Sequence, residues 1–153
     1  MKQQQGFSLI EVLVTMIIIS FGLLGIAGVI VNSLRNNQSS YARTQASVMA
    51  NDIIDRMRAN RITAEASPSP YAFDNLTATV APTGAGVPLA DLTEWSTSLA
   101  RAMPSGAGSV AINAATKVVT VTVQWNDARA SGSAVTSTTT GKAAQQVVVQ
   151  TRL

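Results

Sequence analysis

The chain has 153 residues, eleven basic against eight acidic, and neither histidine nor cysteine. Disulfide stapling, thiol or imidazole catalysis and Cys/His zinc sites are therefore excluded. The formal charge of +3 is dispersed, apart from Arg56, Arg58 and Arg61, and does not point to nucleic acid.

The leader Met1-Lys2-Gln3-Gln4-Gln5 is short and polar, and Gly6-Phe7-Ser8-Leu9-Ile10-Glu11 follows it. From Val12 to Val31 no side chain is charged. A helix of about 20 apolar residues crosses a hydrocarbon core. Glu11 lies about one turn into the apolar segment, where burying an ionised carboxylate costs roughly 2.5–3.5 kcal/mol on insertion scales. Two readings relieve that cost. Glu11 can rest near the headgroups beside the positive helix N-terminus. Alternatively, if the chain is cut after Gly6, Phe7 gains an α-ammonium that meets its own Glu11 or that of an axially shifted neighbour. An ordinary secretory signal fits poorly, because an acid stands within the apolar run and the run is long.

Gly22, Gly25 and Gly28 recur every third residue and make one side of the helix small. This spacing is read either as the tolerance of membrane helices for glycine or as close helix approach, with local melting a further option. Beyond Asn32, Ala42, Ala46, Met49, Ala50, Ile53 and Met57 fall on one face at three- and four-residue steps. Asp52 and Arg56 form a favourable i,i+4 pair. One continuous helix is predicted from about Phe7 to about Arg61, roughly 80 Å long.

Prolines and glycines between Ile62 and Leu89 predict an extended surface loop, with a short strand near Thr77–Val80. Asp91-Leu92-Thr93-Glu94 reads as a capping box that opens a helix from Leu92 to Ala102, with Leu92, Trp95, Leu99 and Met103 as its apolar stripe. Strands follow at Ser109–Ile112, Lys117–Trp125 and Gln145–Leu153. In the second, Val119, Val121, Val123 and Trp125 alternate with Thr120, Thr122 and Gln124. Asn113–Thr116 is a predicted turn, and Asp127–Lys142 a low-complexity loop. The expected fold class is α+β, with one face of a three- or four-stranded antiparallel sheet on the long helix.

Gly6-Phe7-Ser8-Leu9-Ile10-Glu11-Val12, heading an apolar run, resembles the leader motif of type IV pilins and pseudopilins. The resemblance implies the type IV pilin fold. It also implies cleavage between Gly6 and Phe7 by a prepilin peptidase, N-methylation of Phe7, and Glu11 as the acid that guides subunit assembly. It places the leader in the cytoplasm, which the sparse flanking charges leave open. Phe21-Gly22-Leu23-Leu24-Gly25, Asn51–Asn60 and Asp91–Pro104 are similar to the PilV group of minor pilins.

The domain scheme that follows is leader 1–6, transmembrane and filament-core half-helix 7–31, amphipathic half-helix 32–61 and globular region 62–153. The implied partners are the prepilin peptidase, other minor pilins and the major pilin, the inner membrane and the pilus assembly machinery, with no cofactor or metal. The implied location is the inner membrane, with a periplasmic domain, and then the extracellular filament. A minor pilin of a type IV pilus, acting in assembly or priming, is the leading expectation. A pseudopilin of a type II secretion system and an adhesive or DNA-binding pilin are the alternatives. The loops Ile62–Leu89 and Asp127–Lys142 hold few basic or aromatic residues, which argues against DNA. Serine-nucleophile, P-loop and dinucleotide patterns do not occur, so no enzyme is expected.

Overall fold

A computed structural model describes residues 6–76, 80–127 and 144–153. Helix α1 spans Leu9–Ala59, and α2 (Arg61–Ala64), β1 (Phe73–Asp74), α3 (Gly86–Ala102), β2 (Ala107–Asn113), β3 (Val118–Asn126) and β4 (Ala144–Arg152) follow. The chain divides into two compact units, one ending at Asn37 and the other running Gln38–Leu153.

In the first unit α1 carries no charged residue between Val12 and Val31. An 18-residue window reaches a mean hydropathy of 2.6 and no part of it is buried, so by length and composition this helix is able to cross a membrane. Its hydroxyls do not stand unsatisfied. Thr15 Oγ1 donates to the Val12 carbonyl at 2.8 Å and Ser20 Oγ to that of Met16 at 2.7 Å. Such back-bonding lets a hydroxyl sit in a medium without water.

In the second unit the strands form an antiparallel sheet in the order β1-β2-β3-β4. The β2–β3 connection turns on Asn113, whose Oδ1 accepts the N–H groups of Ala115 at 3.0 Å and Thr116 at 3.1 Å. Strict alternation along β3 sends Val119, Val121, Val123 and Trp125 into the core. Burying each valine is worth roughly 1.5–3 kcal/mol. Across from them, α1 contributes Ala46, Ala50, Ile53, Ile54 and Met57, with Ala42 and Met49 at the margin. Helix α3 contributes Leu92, Trp95 and Leu99, with Met103 just beyond it. The predicted helix face, apolar stripe and β3 alternation are all present in this core, and the fold is α+β, consistent with that of a type IV pilin.

Glycine brings α3 close to the sheet. A Cβ on Gly108 would collide with the Trp95 ring and Leu99, and one on Gly106 with the Leu99 backbone carbonyl. The Trp95 ring is held edge-on against Phe73 at 6.4 Å between centroids, while its Nε1–H donates to the Met49 carbonyl of α1 at 2.8 Å. One indole thus ties α1, α3 and β1 together.

Three sequence expectations are corrected and a fourth falls mostly outside the described residues. The long helix ends at Ala59, and Asn60 separates it from the short α2. The segment 62–89 is not wholly loop, since it includes most of α2, all of β1 and the start of α3. Strand β1 lies at Phe73–Asp74, whereas most of the expected strand at Thr77–Val80 lies outside the described residues. Helix α3 begins at Gly86, not Leu92, so Asp91 is not its cap. Pro88 sits in the first turn of α3, where its missing N–H has no intrahelical acceptor to lose. Gly86 holds φ at 69°, in the left-handed region that favours glycine. Of the expected loop Asp127–Lys142, only Asp127 is described, and its carboxylate accepts the Ser39 hydroxyl at 2.8 Å.

Candidate functional site

The segment Gly6-Phe7-Ser8 precedes α1 without joining it. The Ser8 carbonyl accepts the N–H groups of Glu11 at 3.1 Å and Val12 at 3.3 Å and so closes the first turn. Glu11 stands in that turn, where an exposed carboxylate gains about 0.3–1 kcal/mol from the helix dipole. Among the described residues no cation pairs with it. Phe7 is 85% exposed and Leu9 86%.

Nothing lies within 4 Å of a Cβ built on Gly6, Gly22, Gly25 or Gly28. Among the described residues nothing makes a steric demand for glycine at these positions. Among the described residues the exposed apolar surface around them is likewise uncovered.

A second polar constellation lies in the globular unit and was only half visible in the sequence. Arg56 contacts Asp52 at 3.2 Å, the pairing expected along the helix, and Asp55 meets Arg58 at 3.0 Å. Arg56 also reaches Glu94 at 2.8 Å and Asp91 at 3.5 Å on α3. Tyr71 Oη donates to Asp91 Oδ2 at 2.6 Å and accepts from Asn60 Nδ2 at 3.3 Å, and Thr63 Oγ1 donates to Asn60 Oδ1 at 2.7 Å. The carboxylates read as a capping box thus serve as the far side of a clasp that fastens α1 to α3. Both lie one to two turns inside a helix whose true start was hidden by Pro88.

The electrostatics follow from these contacts. The Glu94 hydrogen bond, partly offset by burial, raises the Arg56 pKa, and Arg56 in turn holds Glu94 below the usual carboxylate range. Arg61 lowers Glu65 in the same way. These depressed carboxylates support folding above their ordinary pKa, and that support fades as pH falls through the lowered values. Burial, and next the bond to Asp91, push the Tyr71 phenol up to about 12.

The sign for Tyr71 is opposite. Its share of stability is complete below the ordinary tyrosine pKa near 10 and is lost as pH rises toward about 12. Tyr71→Phe is expected to lower neutral-pH stability by about 1–2 kcal/mol, because Asp91 loses a donor. It should also flatten the alkaline fall. Denaturant melts at neutral and alkaline pH would show both effects, and an unchanged alkaline slope in the variant would count against them.

Residues 1–27 match the family described as the prokaryotic N-terminal methylation motif. No match was found among curated proteins or solved structures. The matched motif, with the exposed apolar helix behind it, supports a type IV pilin- or pseudopilin-like prepilin. Such a motif implies processing by a prepilin peptidase and assembly with other pilins, and it is consistent with membrane anchoring before entry into a pilus.

Proposed function

We propose that the chain is a minor pilin of a type IV pilus, of the PilV kind, which helps to prime or cap the filament alongside other minor pilins. The observation that carries this reading is an apolar helical stretch left uncovered among the described residues, headed by the methylation motif. In this scheme residues 1–6 are the leader, cut between Gly6 and Phe7, and Phe7 is methylated. Residues 7–31 rest in the inner membrane until the subunit is drawn sideways into the filament core. Residues 32–61 and 62–153 lie in the periplasm and then on the fibre. The PilV assignment is supported by Phe21–Gly25 and Asn51–Asn60. A structural role is in keeping with the polar constellation, which clasps two helices, and with buried residues that are apolar among those described.

Gly6 decides the first step. A peptidase that grips extended backbone at the scissile bond has no room for a β-branched side chain there, whereas the fold itself leaves open space at Gly6. Gly6→Val is therefore expected to abolish processing without disturbing the globular unit. Intact mass from membranes should show the leader retained in the variant. The unaltered chain should begin at Phe7 and be one methyl group heavier. A variant with the mature mass would overturn the assignment of the site. Loss of pili on deletion supports the pilus role, and loss of secretion alone transfers the chain to a secretion system.

A further inference from the structure

Within the unit Gln38–Leu153 the charged side chains are sorted by side. Arg56 and Arg58 stand about 200° apart around α1, and each belongs to its own cluster. On one side Arg56 gathers Asp52, Asp91 and Glu94, three carboxylates to one cation. The Glu94 side chain stays 67% exposed despite that contact. Val87, also exposed, lies one turn before Asp91 on the same face of α3.

On the other side Arg58 reaches Thr151 of β4, Lys117 Nζ donates to the Glu65 carbonyl at 2.9 Å, and Arg61 pairs with the Glu65 carboxylate. Arg152 follows Thr151 and makes no ion pair among the described residues. The bond from Arg61 holds the Glu65 carboxyl low against the cost of burial, and the charges of Arg61, Lys117 and Arg152 add to it, so these three cations crowd one acid. Four cationic side chains thus share two acidic ones, Asp55 and Glu65. Ile62, 93% exposed, follows Arg61. Residues 77–79 and 128–143 contain no acid, so they supply this cluster with no carboxylate. Residues 128–143 also leave and rejoin the sheet between Asn126 and Ala144, the far end of β3 and β4 from Val118 and Arg152.

The two clusters are set apart within one copy. Helix α3 lies over β1 and β2, because Trp95 meets Phe73 and closely approaches Gly108. Arg58 and Arg152 lie toward β4, at the other end of the strand order. Helix α1 stands between the two sides.

We propose that copies of this chain join side by side, the basic cluster Arg58, Arg61, Lys117 and Arg152 of one docking on the acidic clasp Asp52, Asp91 and Glu94 of the next. An excess of cations meets an excess of carboxylates, and Ile62 and Val87 supply the apolar contacts. The two surfaces differ, so the contact is heterologous and repeats from copy to copy. Complementary charge fixes which faces meet more than it adds affinity, so the association is weak and salt-sensitive. The inference stands on the globular unit and goes beyond the reading of the N-terminal motif.

The test is sedimentation of the full chain in detergent, with micelles in excess, at low and high salt. The unaltered chain should self-associate at low salt and about tenfold less strongly at high salt. Arg152→Glu and Glu94→Lys should each weaken low-salt association about tenfold, equivalent to roughly 1.4 kcal/mol. An equimolar mixture of the two should regain it, because the intact clasp of one variant meets the intact basic cluster of the other. Near-ultraviolet circular dichroism checks that each variant keeps its core. If Glu94→Lys loses it, Glu94→Gln, which keeps an acceptor for Arg56, takes its place. Absence of salt-sensitive association in the unaltered chain, indifference to both variants, or a mixture no stronger than its parts overturns the proposal. None of these outcomes bears on leader processing, so the pilin reading stands or falls separately.

Discussion

Glu11→Ala is expected to be cleaved and methylated like the unaltered chain, yet to enter filaments at least roughly tenfold less well, a factor equivalent to about 1.4 kcal/mol. The acid stands in the first turn of a helix whose following residues are apolar and exposed. Keeping a carboxylate there costs roughly 2.5–3.5 kcal/mol in lipid, so its retention calls for a partner. Among the described residues none is present. Cleavage after Gly6 would create a cation at Phe7, four residues before Glu11. If the amine of one subunit meets the acid of another in an assembled fibre, it does so only at one axial offset, and the pair would set register. Alanine removes the cost together with the guidance, leaving an anchored subunit with no preferred docking height. Intact mass reports cleavage, and immunoblots of sheared filaments against membranes report incorporation. Normal incorporation of Glu11→Ala would rule out the register role.

A large loss of stability is expected from Gly108→Val. Its added carbons fall on the Trp95 ring and Leu99. The ring cannot swing away cheaply, because Nε1–H is bonded to the Met49 carbonyl and the ring edge is set against Phe73. Overpacking of this kind typically costs 1–3 kcal/mol, and losing the indole bond as well brings the expected total to about 3–4 kcal/mol. For a domain near 100 residues that is a fall of more than about 10 °C in melting temperature. Thermal unfolding of the full chain in detergent, followed by near-ultraviolet circular dichroism, measures it. A shift of only a degree or two would mean that α3 can lift from the sheet.

These two expectations draw on different kinds of legibility. The hydrophobic pattern was readable wherever one residue's environment depends on a simple period. The three- and four-step face around Ala46–Met57 and the two-step alternation of Val119–Trp125 became core residues for that reason. The stripe Leu92, Trp95, Leu99 and Met103 was readable too, although the start of its helix was not. Pro88 looked like a breaker, but proline is tolerated in the first turn of a helix. The misplaced start turned Asp91 and Glu94 into a cap, when they hold Arg56 and Tyr71 across a tertiary gap. No local pattern marks such a contact, because it depends on where two distant helices meet. Strand β1 escaped for a related reason. Two residues have no period, and pairing with Val110 and Ser109 alone makes them a strand.

The processing motif was legible in another way. Gly6 and Phe7 stand in open or exposed positions and the Glu11 side chain has no ion-pair partner among the described residues, so the sequence pattern, not packing, points to them, and the family match covers residues 1–27 as a whole.

The chain's two tryptophans, Trp95 and Trp125, are both almost wholly shielded from water, within a single core. Trp95 is bonded to the backbone of α1, the helix that also carries the apolar N-terminal stretch. The protein therefore contains its own optical gauge. Its ultraviolet emission should remain blue-shifted for as long as the globular unit grips that rod, and should redden when the grip fails. Integrity of the subunit can thus be followed through extraction from a bilayer without attaching a dye.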